Sequence, residues 1–265
     1  MLPLYPRSHL PLLPTGLRRI HAGLNPLHDS STLTSTWPHR AWVAAGSATV
    51  LTSLSHAISA AGASHDPINP VLSAIAGYLL SDLATGVYHW AADNYGSAST
   101  PFFGPQIAAF QGHHRRPSTI TRRSFANNTH ALARAVALVA APLDFAAGGN
   151  PSAHSFLAAC GFCIMLCQQF HAWAHEGRRG KLPAAVAAMQ DAGVLVSRRQ
   201  HGRHHRRPYN GNYCIVSGAW DGVLDGCRVF EAAEMVIYFR FGVRPRSWGE
   251  PTEEWEEEEA ASCGG

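Results

Sequence analysis

Apolar residues along this chain gather in blocks, and strongly polar residues gather between them. Residues 41–64 form a weakly apolar, Ala/Ser-rich stretch of membrane-spanning length. Residues 71–92 are richer in Val, Leu, Ile and Tyr. Between these two blocks, Asp66-Pro-Ile-Asn-Pro70 reads as a turn. A third block, 131–147, is closed by Gly148-Gly149-Asn150-Pro151, and a fourth, 152–175, reaches the ~20 residues that a bilayer span requires. Residues 182–196 are apolar but shorter, suited to a half-buried or interfacial segment. The intervening stretches are of another kind. Residues 94–129 are rich in His, Arg, Gly and Pro, residues 176–181 form a basic loop, and residues 197–208 are densely basic. The pattern predicts a mainly α, membrane-embedded helical bundle of about four spans, with a His-rich metal-binding cap. A soluble bundle with buried Ala-rich helices is the competing arrangement. From Tyr209 onward a small mixed cap is expected.

Composition sharpens this reading. Hydrophobic residues make up 46% of the 265 and charged residues only 15%, low for a soluble protein. The net charge of +3 says little, but its distribution says more. Seven glutamates fall between Glu250 and Glu259, a block expected to form a solvated tail. Asp29 is the one acid in the first 65 residues, which also carry scattered Arg and a Ser/Thr run at 30–36. Residues 1–40 therefore fit an organellar transit peptide, whereas Pro3, Pro6, Pro11 and Pro14 interrupt any secretory apolar core. The expected organisation is a leader over 1–40, a membrane domain over 41–230, and a C-terminal cap with an acidic disordered tail over 231–265. Six cysteines make no disulfide framework. Cys160, Cys163 and Cys167 fall at i, i+3 and i+7, the spacing of small apolar side chains on one helix face; a Cys-x-x-Cys redox or metal pair is the alternative.

The candidate chemistry lies in four patches at the ends of apolar blocks. The first holds Asp82, His89 and Asp93, spaced by seven and four and so on one helix face. The second is Gln111-Gly-His113-His114-Arg115-Arg116. The third is His171-Ala-Trp-Ala-His175, and the fourth His201-Gly-Arg-His204-His205. Side chains at i and i+3 or i+4 project together, with Cβ atoms about 5–6 Å apart. Two neutral imidazoles so placed bind divalent iron, zinc or copper well. Eight histidines exceed the needs of one ion and suit two. Spacing alone leaves the metal open. Iron follows only if the substrate is an unactivated lipid C–H bond, which needs a redox-active oxidant that zinc cannot provide. His56, His65, His130 and His154 read as ordinary core or interface residues. A nucleic-acid binder would lack the apolar spans, and a metal carrier would place its histidines along the spans rather than at their ends.

The patches also resemble a known family, the plant fatty acid desaturase 4 proteins and their animal relative, plasmanylethanolamine desaturase. The resemblance is carried by Asp82-Leu-Ala-Thr-Gly-Val-Tyr-His-Trp-Ala-Ala-Asp93, by Phe110-Gln-Gly-His-His114 through Ile120-Thr-Arg122, by Gln169-Phe-His-Ala-Trp-Ala-His175, and by Gln200-His-Gly-Arg-His-His205 with Gly211-Asn-Tyr-Cys214. It covers roughly residues 70–230, and the motifs are specific as a set; the glutamate tail lies outside it. It implies insertion of a trans double bond at the Δ3 position of palmitate, at sn-2 of phosphatidylglycerol, in a chloroplast membrane. Two Fe2+ ions, O2 as co-substrate and electrons from ferredoxin are implied with it, and no nucleic-acid partner. The implied ligands are His89, His113, His114, His171, His175, His201, His204 and His205. Asp93 is implied as a ninth ligand or as a group orienting an imidazole, with Asp82 standing behind the ligands. Arg115, Arg116, Arg122, Arg206 and Arg207 are candidates for the lipid phosphate, since guanidinium binds phosphate bidentately; general attraction to anionic lipid accounts for them equally. The same ligand set would serve lipid hydroxylation or vinyl-ether desaturation.

Overall fold

A computed structural model describes residues 33–177 and 182–249. Of the leader expected over 1–40, residues 1–32 lie outside the described residues and 37–40 belong to α1; residues 178–181 of the basic loop and the glutamate tail also lie outside them. The elements are α1 (Trp37–Ser64), α2 (Ile68–Asn94), α3 (Gly104–His113), α4 (Thr119–Arg122), α5 (Phe125–Ala146), α6 (Pro151–Ala174), α7 (Ala184–Asp191), α8 (Arg198–His204), α9 (Asp221–Gly226) and α10 (Val229–Phe241), then a 3-10 turn at Arg246–Trp248. No strand occurs among the described residues. The cap expected to be mixed is built instead from short helices and turns.

Local sequence sets the helix ends. Thr36 caps α1 in a reciprocal box with His39. Asp66 accepts from the amides of Ile68 and Asn69 at the start of α2. Asn150 accepts from the amides of Ser152 and Ala153, and Pro151 opens α6, so the Gly148–Pro151 turn ends one helix and starts the next. Ser197 and Gln200 form a second capping box at α8. That box fixes the frame of His201, His204 and His205.

α1, α2, α5 and α6 form the bundle. α6 is its centre, packed on α2, α1 and α5, while α1 also packs along α5. Close approach depends on small residues. A Cβ on Gly77 would stand 2.7 Å from the Phe156 carbonyl, so α2 and α6 meet backbone to backbone. Three of these helices, α2, α5 and α6, are long and apolar enough to cross a membrane. α1 has the length but a more polar, Ser- and Thr-rich sequence. Their outward faces carry Leu51, Ile58, Val71, Leu72, Leu138 and Val139, each more than half exposed. So much apolar surface facing outward is the signature of helices solvated by lipid.

The interior is correspondingly small. Cys163 and Cys167 pack with Phe170, Val186, Leu195, Val196, Ile215 and Val216 in one cluster. All five described cysteines are free thiols, and this pair fills core space as the apolar reading expects. The C-terminal part is tied back by Glu234, which is 2% exposed. Its carboxylate accepts from the Trp90 indole at 3.0 Å and the Trp248 indole at 2.8 Å, joining α2, α10 and the 3-10 turn.

Candidate metal centre

α2 and α6 run the same way through the bundle, so the C-terminal ends of both lie at one end of it. α3 and α8 close over that end. Each of these four elements delivers histidines inward, and they form two abutting groups. In the first, His113, His171, His175, His201 and His205 present ligand atoms all within 4.8 Å of one another; in the second, His89, Asp93, His114 and His204 do the same. All nine residues singled out in the sequence converge here. The i, i+4 pairs behave as spacing predicts, with His171 and His175 Nε2 atoms 3.2 Å apart and those of His201 and His205 3.1 Å apart.

Hydrogen bonding alone leaves the first group unsatisfied. The Nε2 of His175 lies 2.8 Å from that of His113, 2.9 Å from that of His201 and 3.2 Å from that of His171. A neutral ring nitrogen carries one proton or none, so most of these contacts are lone pair against lone pair. A cation among them removes the conflict. Burial pushes the basicity of His113, His201 and His205 well down, with neighbouring imidazoles adding to it. His175 is lowered to about 3, first by burial. Rings that resist protonation keep their lone pairs for a metal.

The second group is centred on one carboxylate oxygen. Asp93 Oδ2 lies 2.9 Å from His114 Nε2 and 3.3 Å from the Nε2 atoms of both His89 and His204. The outer nitrogens of two of these rings are fixed from behind. His89 Nδ1 donates to the Tyr213 carbonyl at 2.9 Å, and His204 Nδ1 to the Gly211 carbonyl at 2.9 Å. A carbonyl can only accept, so each ring carries its proton on Nδ1 and turns a bare Nε2 inward, the arrangement that orients metal-binding imidazoles. Those two Nε2 atoms and Asp93 Oδ1 are buried without a hydrogen-bond partner. Three orphaned acceptors around one point fit a second cation, and the donor set of imidazole and carboxylate suits divalent iron.

Asp82 bonds main-chain amides rather than any imidazole. It is fully buried. One oxygen accepts from the amides of Val216, Ser217 and Gly218 at 3.2, 2.8 and 3.1 Å, and the other from that of Trp220 at 3.4 Å. It anchors the 213–220 loop, and that loop supplies the Tyr213 carbonyl to His89. Gly86, one turn above Asp82, lets the loop lie flat, since a Cβ there would stand 2.5 Å from Cys214 Sγ. The sequence marked Asp82 as functional but offered no signal for its partners, which are main-chain groups far along the chain.

The arginines divide. Arg206 and Arg207 line a cavity of about 250 Å³ together with Arg203 and Arg228, two residues the sequence reading passed over. Arg115, Arg116 and Arg122 lie exposed on and beside α3 and α4. Arg115, Arg116 and Arg122 are not among that cavity's lining.

A lipid desaturase domain matches residues 78–248, a stretch that contains both groups and the loop that supports them. The chain belongs to the lipid desaturase family. Among curated relatives, "Fatty acid desaturase 4, chloroplastic" of Arabidopsis thaliana is 59% identical over 223 residues, covering 84% of this chain and 68% of that protein. "Fatty acid desaturase 4-like 1, chloroplastic" of the same plant is 54% identical over 231 residues, covering 87% and 78%. "Plasmanylethanolamine desaturase" of Myxococcus xanthus is 34% identical over 181 residues, covering 66% and 63%. No solved structure matches this lipid desaturase. The family match begins inside α2, so α1 and the first part of α2 lie outside the shared domain.

Proposed function

We propose that this lipid desaturase is a di-iron, O2-dependent enzyme of a chloroplast membrane. Its reaction is the introduction of a trans-Δ3 double bond into palmitate at sn-2 of phosphatidylglycerol, with ferredoxin as electron donor. The observation that carries the reading is the convergence of eight histidines and Asp93 into two abutting groups at one end of apolar helices. The compartment and a fatty acid substrate follow the names of two Arabidopsis relatives, while palmitate, the Δ3 position and phosphatidylglycerol follow the family resemblance of the motifs. The transit peptide is then the segment ahead of α1, shorter than 1–40, because Thr36 caps α1 and Ser35 bonds Ser124.

His113, His171, His175, His201 and His205 would hold one ion, and His89, Asp93, His114 and His204 the other. A redox-active iron pair supplies the oxidising power, with O2 taking two electrons from the acyl chain and two from the reductant to give two waters. The chain's own contribution is positioning. Tyr213 and Gly211 fix the tautomers of His89 and His204 through their carbonyls. The rings of Phe110 and Tyr213 pack against His89, with centroids 5.1 and 5.6 Å away, and help to exclude water. The ligands sit where apolar helices end, so an acyl chain can reach them from the bilayer while its headgroup stays among the arginines at the surface.

The test is expression in a host lacking its own enzyme, followed by lipid mass spectrometry. Wild type should yield trans-3-hexadecenoate in phosphatidylglycerol, and the His204→Ala, His205→Ala double variant should yield none while the protein still accumulates. Product from the double variant would sink the proposal. A vinyl ether or hydroxylated lipid from wild type would move the assignment to those reactions on the same centre.

A further inference from the structure

A second cluster of metal-binding side chains lies at the opposite end of the bundle. His56 of α1, Asp144 of α5 and His154 of α6 place one ligand atom each within 4.8 Å of one another. His154 and His171 are separated by about 25 Å of helix at 1.5 Å per residue, so this cluster is remote from the centre described above. The family domain match begins after His56, so this triad draws partly on sequence outside it.

The hydrogen bonds define what the cluster lacks. His154 is 1% exposed, and its Nε2 lies 2.7 Å from the Gly148 carbonyl. The carbonyl only accepts, so that nitrogen carries a proton. The ring's other nitrogen, Nδ1, faces Asp144 Oδ1 at 2.7 Å. With a neutral ring, this is an acceptor against an acceptor, in a buried place where neither can turn to water. The other carboxylate oxygen of Asp144 faces His56 Nδ1 at 2.8 Å. A positive species must therefore sit at or between these groups. The fixing of one imidazole nitrogen by a main-chain carbonyl, with the other aimed at a carboxylate, is the arrangement that prepares histidine for a metal. Beside it opens a cavity of about 370 Å³ lined by all three residues, with Ser59 and Phe145 at its margin. His56 stands at the mouth with its side chain 53% exposed. The cavity leaves room for solvent ligands to complete a coordination sphere.

We propose that His56, Asp144 and His154 bind a divalent transition ion of the zinc class, held by two imidazole nitrogens and a carboxylate. The donor set is borderline rather than hard, which favours Zn2+ over Mg2+ or Ca2+. Bound there, the ion ties α1 to α5 and α6 at the end where the buried Ser53 of α1 also faces the Asp144 carboxylate. α1 otherwise packs through Gly46, Val50 and Ala57, so one ion adds a directional link along that seam.

The experiment uses the full chain, purified in detergent with its iron in place and equilibrated with Zn2+ under a weak competing chelator. Iron and zinc are counted per chain by mass spectrometry. The expected result is one zinc bound in addition to the iron. His56→Ala should weaken zinc at least about tenfold and leave iron unchanged. His56 is half-exposed, so this variant folds even if Asp144→Asn, the second variant, does not. Three results overturn the proposal: no zinc beyond the iron, zinc that appears only as iron is lost, or zinc held equally by wild type and His56→Ala. In each case the positive species is a proton and the triad is an imidazolium–carboxylate contact.

Discussion

His89 and Tyr213 are 124 residues apart, and the Nδ1 proton of one rests on the main-chain carbonyl of the other at 2.9 Å. The orientation of an inward-facing histidine thus depends on a loop, and the loop depends on Asp82. Asp82→Asn keeps the shape but replaces one accepting oxygen with an NH2 group that faces amide donors. The expected loss is about 1–3 kcal/mol of stability, read as a lower thermal midpoint in detergent. Bound iron should fall with it, because the Tyr213 carbonyl moves. An Asp82→Asn protein with unchanged iron and midpoint would show the loop to be held by other means.

The two ligand groups should be separable by metal content. His114→Ala removes a contact to Asp93 and touches no Nε2 of the first group at hydrogen-bond distance. Iron should drop from two per chain towards one. His171→Ala should empty the other position in the same way. Loss of both ions from either single variant would mean the two positions bind only as a unit.

Low pH should weaken the protein before any substrate is considered. His113, His175, His201 and His205 are all held below the ordinary value of 6.5, chiefly by burial. The folded chain keeps them neutral where the unfolded chain takes up protons, so stability is full above about 6.5 and falls as pH drops below it. For His175 the loss continues down to about 3. The metal-free protein should show a falling thermal midpoint between pH 7 and pH 5 and a flat one above pH 7. Bound metal should flatten the slope, since coordination holds the same lone pairs. A midpoint that rises on acidification would contradict the buried, neutral state of these rings.

Gly77→Ala tests whether helix spacing sets the centre. The added methyl would stand 2.7 Å from the Phe156 carbonyl, a main-chain atom that can yield only if α2 and α6 separate. A cost of about 1–3 kcal/mol is expected, as for overpacking elsewhere. Because α2 carries His89 and Asp93 while α6 carries His171, iron binding should weaken too, although Gly77 touches no ligand. Retained iron at a lowered midpoint would separate packing from metal geometry.

The helices and the histidines were legible in the sequence for one reason: both obey short-range periodicity. Apolar blocks end where α2, α5 and α6 end, and i, i+3 or i+4 spacing placed His171 with His175 and His201 with His205. What remained hidden depends on contacts distant in sequence. His56 and His154 read as ordinary interface residues because Asp144 lies 88 positions from the first and is buried beside a chain turn. Asp82 stood out for its place near an apolar helix end, yet its partners are amides at 216–220, which leave no mark in side-chain pattern. α10 was unread for a related reason. Its apolar residues are spread around the helix rather than along one stripe, and only Phe230 and Glu234 turn fully inward.

α8 is only seven residues long, yet it gives His201 to one group and His204 to the other, and His205, the residue just past its end, joins His201. Neither position has its full set of donors until this short helix has been made and docked beneath α2 and α6. Completion of the centre therefore waits on α8. If the proposed iron pair is bound, a chain with its spans inserted but α8 unseated would lack the donors to hold it.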